Sequence, residues 1–395
     1  MKTSKIQHRL RSSVLEQIYI SGEISRTDIA TATGITPATT TSITADLIQQ
    51  GIVEEIGEST QVKPKVGRKK KLLSIREAHS YYIGSEISER EFTYTLADNL
   101  GNIMYQKEYT LLISEISENG HQLYIQYLSD FMSFCDRPIT AIGICLPGRY
   151  FNEGKVHTNN PLWKNFNLDI IKNSLSIPVF FSNNVNAMSL AKRLFSKGEN
   201  KDNFIYFHFR RGMHLSYMYE GRIYGRTNPN VGEVGHTIVQ ADGEICECGK
   251  RGCLQTYASE SWLIKKATLL AESNVSTFLK NILDGQTELT LNHLFLAYDY
   301  GDGEIINLFH QAIKYIVQVL LNLGNLIDAN KIFIHSPLFN HKTLEIELHR
   351  LLNEFSSNLI GSPQIILVEP YDDFRGSLGG VALALYKTTL EFERQ

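Results

Sequence analysis

Gly232-Glu233-Val234-Gly235-His236 and, after nine intervening residues, Cys246-Glu247-Cys248-Gly249-Lys250-Arg251-Gly252-Cys253-Leu254-Gln255-Thr256-Tyr257 form the stretch on which the reading of this chain turns. One imidazole and three thiols make up the Cys3His donor set of a closed tetrahedral zinc site. Gly249 and Gly252 free the backbone for the tight turns that bring three sulfurs to one ion. Four protein ligands leave no open coordination position. The expected cofactor is therefore a structural Zn2+ held by His236, Cys246, Cys248 and Cys253. The other two cysteines, Cys135 and Cys145, stand alone and read as core residues.

Outward from that cluster, five cysteines in 395 residues are too few for a secreted disulfide scaffold, and their clustering suits a reducing compartment. A hydrophobic content of 43% with 21% charged residues fits a globular protein of two or three domains. No apolar run reaches the roughly 18 residues a membrane helix needs, and the N-terminus has no apolar signal core. A cytoplasmic protein without a membrane partner is expected. The net charge of -3 hides an asymmetry: residues 1–75 hold 11 Lys+Arg against 7 Asp+Glu, the remainder 28 against 35. A basic head on an acidic body suits a nucleic-acid module fused to something else.

The head has its own grammar. Val14, Leu15, Ile18 and Tyr19 recur at helical spacing and predict a first helix ending near Ser21-Gly22. Ser25 with Asp28 resembles a capping box opening a short helix through Thr33. Gly34 supplies a turn, and Thr36-Pro37 reads as an N-cap with proline at the first helical position of a longer helix that stops near Gly51. Short helix, glycine turn, longer helix is the helix-turn-helix pattern. Ala38, Thr39, Thr40, Thr41 and Ser42 are expected on its exposed end, where small hydroxyl side chains permit close approach to a major groove. Ile52, Val53 and Ile56, then Leu72, Leu73 and Ile75, predict two wing strands around the basic run Lys63 to Lys71. The expected DNA contacts are Arg26, Thr36, Ala38, Thr39, Thr40 and Ser42, with Arg68, Lys69 and Lys70 from the wing.

Taken together, these residues resemble the ROK family, which unites repressors, open reading frames and sugar kinases. The family pattern is Gly-Glu-x-Gly-His followed by Cys-x-Cys-Gly-x-x-Gly-Cys-Leu-Glu. Residues Gly232 to Leu254 follow it, and Gln255 departs at its last position. The helix-turn-helix places the sequence with the repressors, and the xylose-repressor group is the most similar in pattern. The resemblance covers nearly the whole chain and implies an α/β, actin/hexokinase-like fold with two lobes around a sugar cleft. It places a winged helix-turn-helix at 1–78 and a sugar-kinase-like domain at 79–395, with lobe one about 79–195 and lobe two about 196–395. The residues agree with an α/β architecture. Strands are predicted at 81–87, 92–97, 139–146, 179–182 and 331–335, and helices at 186–195, 320–326 and 376–385.

The same resemblance implies that kinase chemistry is absent. Family kinases take the acceptor proton with an Asn-Asp pair at a strand end, and the matching pair here is Asn183-Asn184. An amide holds a hydroxyl but does not accept its proton. The phosphate-binding Asp-x-Gly-Gly-Thr corresponds to Glu86-Ile87-Ser88-Glu89-Arg90, the loop Gly-Thr-Gly-x-Gly to Arg210-Arg211-Gly212-Met213-His214, and a third glycine pair to His335-Ser336. Side chains there would fill the room that phosphates require, although Arg210 and Arg211 could instead make a new anion site. The hydroxyl-contact positions remain: Asn160, Asn183, Asn184, Glu233 and His236, with Gln255 where the family has glutamate. His236 would serve both sites, one ring nitrogen on zinc and the other toward ligand or Glu233. The expectation is a non-enzymatic repressor of carbohydrate genes, a homodimer or homotetramer on double-stranded DNA, governed by a sugar or sugar phosphate. A sugar kinase with an accessory DNA-binding head and a scaffold without effector stay open.

Overall fold

The computed structural model describes residues 5–58, 70–151, 153–158, 160–196, 203–225, 228, 230–273, 278–283, 288–356 and 364–391. The chain forms two compact units, Met1–Lys201 with Asp373–Gln395, and Asp202–Asp372.

Unit one begins with the head: α1 (Lys5–Ser21), β1 (Ile24–Ser25), α2 (Arg26–Thr33), α3 (Pro37–Gln49), β2 (Val53–Glu58) and β3 (Lys71–Ile75). Ser25 caps α2 by accepting the Asp28 N–H at 3.2 Å, Gly34 ends it at φ +68°, and Thr36 with Pro37 opens α3. The wing strands pair antiparallel. A short pairing of β1 with β3 closes a three-stranded sheet that the sequence pattern did not signal.

The rest of unit one is a sheet of order β6-β5-β4-β7-β8, from β4 (Tyr81–Ile87), β5 (Glu91–Asp98), β6 (Ile103–Thr110), β7 (Ile139–Leu146) and β8 (Val179–Asn183). Strands β6, β5 and β4 run antiparallel, and β7 and β8 continue parallel to β4. Helices α4 (Ile113–Ser133), α5 (Leu168–Asn173) and α6 (Asn184–Phe195) complete it. α6 starts two residues before its expected position because Asn183 caps it, accepting the Val185 and Asn186 N–H groups at 3.0 and 3.2 Å.

Unit two repeats the sheet pattern in the order β11-β10-β9-β12-β13, from β9 (Phe204–Phe209), β10 (Met213–Tyr219), β11 (Arg222–Ile223), β12 (Lys331–His335) and β13 (Ile365–Glu369). Three strands are again antiparallel and two parallel. Its helices are α7 (Gln255–Ala258), α8 (Glu260–Glu272), α9 (Leu279–Leu283), α10 (Leu291–Asp299), α11 (Gly303–Leu326) and α12 (Lys342–Phe355). Among the described residues no helix is long and apolar enough to cross a membrane. Cys145 is buried in β7 as expected, while Cys135 is half-buried.

Two expectations of domain organisation are corrected. The final helix, α13 (Arg375–Leu385), was expected in the second lobe and belongs to unit one. It lies so close to β4 and β7 that a Cβ at Gly84 would fall 1.8 Å from the Ser377 carbonyl oxygen, and one at Gly143 would fall 2.0 Å from that of Gly380. Nor is the head a separate body at residue 78. Leu15 and Ile18 of α1 share one apolar core with Leu190 and Leu194 of α6 and Leu385 of α13. An ion pair joins the same helices: Arg193, only 6% exposed, donates to Glu16 Oε1 at 3.1 Å. Burial of this kind, and not a linker, fixes the head to unit one.

Candidate functional site

In the head, the residues expected to read DNA divide by helical phase. Thr40, Thr44 and Leu47 recur at i, i+4 and i+7 and form the inner face of α3. Thr40 is therefore corrected: at 0% exposure it faces the head's own core and not solvent. Thr36, Ala38, Thr41 and Ser42 are exposed and Thr39 is half-buried. Arg26 is a strut, donating from Nε to Thr44 Oγ1 at 3.0 Å and from Nη2 to Glu55 at 2.9 Å. Lys70 pairs with Asp28 at 2.6 Å, whose carboxyl is held low first by that bond and then by Ser25. Arg68 and Lys69 lie outside the described residues.

In unit two, a turn over Val234–His236 and the reversals at Gly249 (φ +85°) and Gly252 (φ +68°) bring His236, Cys246, Cys248 and Cys253 together. Their ligand atoms all lie within 4.8 Å of one another. Around a tetrahedral zinc with Zn–S of about 2.3 Å and Zn–N of about 2.1 Å, S···S edges should be about 3.8 Å and N···S edges about 3.6 Å. Cys248 and Cys253 Sγ stand 3.7 Å apart, and Cys246 Sγ stands 3.5 Å from His236 Nδ1. Burial pushes the Cys253 thiol up to about 12, with Cys248 and Cys246 beside it adding to the shift, and burial likewise raises Cys246. At Cys248 burial opposes the thiolate, but the Lys250 N–H and the neighbouring thiols outweigh it and hold its pKa low. Three such sulfurs are stable as thiolates only with a cation among them, so the donor set fits a metal ion.

The hydroxyl-contact residues fall three in each unit. In unit one, Asn183 and Asn184 sit side by side at the start of α6, and Asn160 opens the turn Pro161–Trp163. Asn183 spends its oxygen on the α6 cap and donates to the Gly148 carbonyl at 3.4 Å. Asn184 accepts from the Val185 N–H and donates to Glu86 Oε1, both at 2.9 Å. Asn160 accepts from the Leu162 N–H at 3.0 Å and donates to Glu89 Oε1 at 2.6 Å. In unit two, Gln255 donates to Glu247 Oε1 at 2.6 Å, and Glu233 faces His214 Nδ1 at 3.7 Å. Glu86, Glu89 and Glu247 were missed from sequence. The motif comparison showed which positions depart from the family pattern but not where their carboxylates point.

The glycine-loop replacements of unit two also have partners. His208 and His335 are register neighbours on β9 and β12, with their Nδ1 atoms 2.9 Å apart. The Asp372 N–H donates to His335 Nε2 at 3.1 Å, and His208 Nδ1 also lies 3.0 Å from the His335 carbonyl oxygen. The Tyr371 ring stacks on His335 with centroids 4.9 Å apart, and the Arg210 guanidinium lies over Tyr371 while pairing with Glu260 at 3.6 Å. Burial lowers His208 to about 4 against the opposing bond to the His335 carbonyl, with Arg210 and His214 adding to the fall. Arg210 is thus engaged with protein groups at the point where an anion site was considered.

A model of the ROK family matches residues 82–387. The xylose repressor of Bacillus subtilis (strain 168) is 28% identical over 378 residues, spanning 94% of this chain and 92% of its own. The DNA-binding transcriptional dual regulator NagC of Escherichia coli (strain K12) is 25% identical over 338 residues, 79% of each chain. Among solved structures, a ROK family transcriptional regulator described as a homolog of the E. coli MLC protein superposes with a TM-score of 0.76 at 24% identity, covering 98% of each chain. A ROK hexokinase from Thermus thermophilus gives 0.63 at 19% identity, over 78% of this chain and 98% of that one.

Proposed function

The chain belongs to the ROK family, and on that premise we propose that it is a DNA-binding transcription repressor of carbohydrate genes whose operator affinity is set by a sugar or sugar phosphate. One observation carries the reading. Helix α6 is capped by Asn183 and starts at Asn184, two of the expected hydroxyl contacts, and carries in its last turn Arg193, which is ion-paired to Glu16 on the first helix of the head. A hydroxyl ligand at one end of α6 and the DNA reader at the other therefore share a buried element. Affinity shifts only as far as the ligand binds the two states of the protein differently.

DNA would be met by Thr36, Ala38, Thr39, Ser42 and the neighbouring Thr41 on α3, with Arg68, Lys69 and Lys70 in the wing neutralising phosphates. Arg26 would hold α2, α3 and β2 in register. A homodimer or homotetramer would set two heads about one duplex turn apart. Asn160, Asn183, Asn184, Glu233, His236 and Gln255 would hold hydroxyls, and a structural zinc on His236 and the three cysteines would fix the loop that carries half of them. The reading is of a cytoplasmic protein without enzymatic activity.

Selection of duplexes by the full-length protein tests the operator. Enrichment of one roughly palindromic sequence supports the reading, and sequence-independent binding at every moderate salt concentration overturns it. The likeness to ROK kinases keeps a sugar kinase with an accessory head as the second reading, and coupled ATP turnover with a hexose panel decides between the two. Turnover is not expected, because Asn184 cannot take the acceptor proton.

A further inference from the structure

Three of the amides expected to hold hydroxyls donate to a glutamate: Asn184 to Glu86, Asn160 to Glu89, and Gln255 to Glu247. Two of them, Asn184 and Gln255, stand where the family pattern has a carboxylate. We infer that Glu86, Glu89 and Glu247 are positioning residues of the effector site, where each fixes which end of its amide meets a ligand hydroxyl. This rests on the sugar-effector reading above.

An amide rotated by half a turn exchanges its donor for its acceptor, so an isolated asparagine does not specify which it offers. Here the rotation is settled twice over in unit one. The oxygens of Asn184 and Asn160 take backbone N–H groups, and their nitrogens face carboxylates. The opposite rotation would set the amide oxygen against the carboxylate and the amide NH2 against the backbone N–H. After those bonds each amide keeps one N–H and one lone pair, the complement of a hydroxyl, which also donates once and accepts. The bare Cα of Gly376 at the start of α13 makes room for Glu86, since a Cβ there would lie 1.8 Å from Oε2. That carboxylate also gains from the positive end of α13.

An aspartate at 184 would place a second carboxylate 2.9 Å from Glu86. Two carboxylates so close resist ionising together.

A charge swap in the full-length protein tests this. Asn184→Asp, Glu86→Gln and the double variant are titrated by calorimetry at pH 8 and pH 5.5 with a panel of monosaccharides and their phosphates, and the unfolding midpoint of each is recorded without ligand. At pH 8 each single variant is expected to bind the sugar that wild type binds about tenfold more weakly, and the double variant within roughly threefold of wild type. Asn184→Asp alone should regain affinity at pH 5.5, where the pair shares a proton. A double variant no better than the weaker single, or a Glu86→Gln protein that binds like wild type, overturns the inference and leaves the sugar reading standing. A wild type that binds no member of the panel overturns both.

Discussion

The β4–β5 turn of unit one and the β9–β10 turn of unit two occupy the same place in two sheets of the same strand order, and the family resemblance sets a glycine loop of the kinases at each. They carry opposite chemistry. At the first stand acids, Glu86 on β4 and Glu89 in the turn, each accepting from an asparagine. Behind the second stand an imidazole pair with buried His335, a tyrosine ring and a guanidinium lying over that ring. Carboxylates orient polar neighbours, whereas packed rings fill volume. Two turns at one place in the same strand order can therefore differ as a polar surface and a plug, the outcome being set by whether their side chains have donors to face.

The largest expected effect separates the two units. Stripping metal with a chelator, or Cys246→Ser, should destabilise unit two by about 4 kcal/mol or more, lowering its melting transition by roughly 10 °C. Unit one carries none of the four ligands, and its transition should stay in place. Equal losses in both transitions would show that the turns are not independently supported. Next in size, His335→Ala removes a side chain 1% exposed and leaves His208 without its imidazole partner. It should cost about 3 kcal/mol by urea denaturation. ATP turnover gained by this variant would mean that the ring had been the sole barrier to catalysis.

The third effect is a pH dependence confined to the second turn. His208 has its folded pKa lowered to about 4 from an ordinary value of 6.5, so the fold favours the neutral ring. Below 6.5 the unfolded chain binds a proton that the folded one refuses, and stability present above that pH is lost as pH falls toward 4. Between pH 7 and pH 5 the loss should reach about 2 kcal/mol in unit two. His208→Gln should flatten that slope, and an unchanged slope would remove the imidazole pair as its source.

Legibility in the sequence followed the distance along the chain over which each feature is written. The cysteine loop, the caps at Ser25 and Thr36, and the strands at 81–87, 139–146 and 331–335 are local patterns, and the structure has them where the residues said. Thr40 was misread because hydroxyl content was weighed before helical phase: four residues separate it from buried Thr44. The pairing of Arg193 with Glu16 spans 177 residues, and the return of α13 to unit one depends on Gly84 and Gly143 admitting a backbone. Nothing in a window of sequence announces either. That Glu86 and Glu89 face asparagines was not legible in the sequence, since their partners lie up to 98 residues away.

The smallest predicted effect bears hardest on the plug. Gly212 is the one glycine left in the second turn, and a Cβ built on it meets nothing within 4 Å. Its φ lies outside the left-handed range, so alanine can adopt the backbone without strain. A phosphate-cradling loop needs bare backbone, and alanine there would block the anion's approach. A turn already closed by His335, Tyr371 and Arg210 has no such need. Gly212→Ala should therefore leave operator and sugar binding unchanged and shift stability by less than about 1 kcal/mol, toward stabilisation, because the unfolded chain loses freedom. A clear loss of ligand or operator affinity in this variant would mean that the second turn still meets an anion through its backbone, and the contrast between the two turns would fail at its second member.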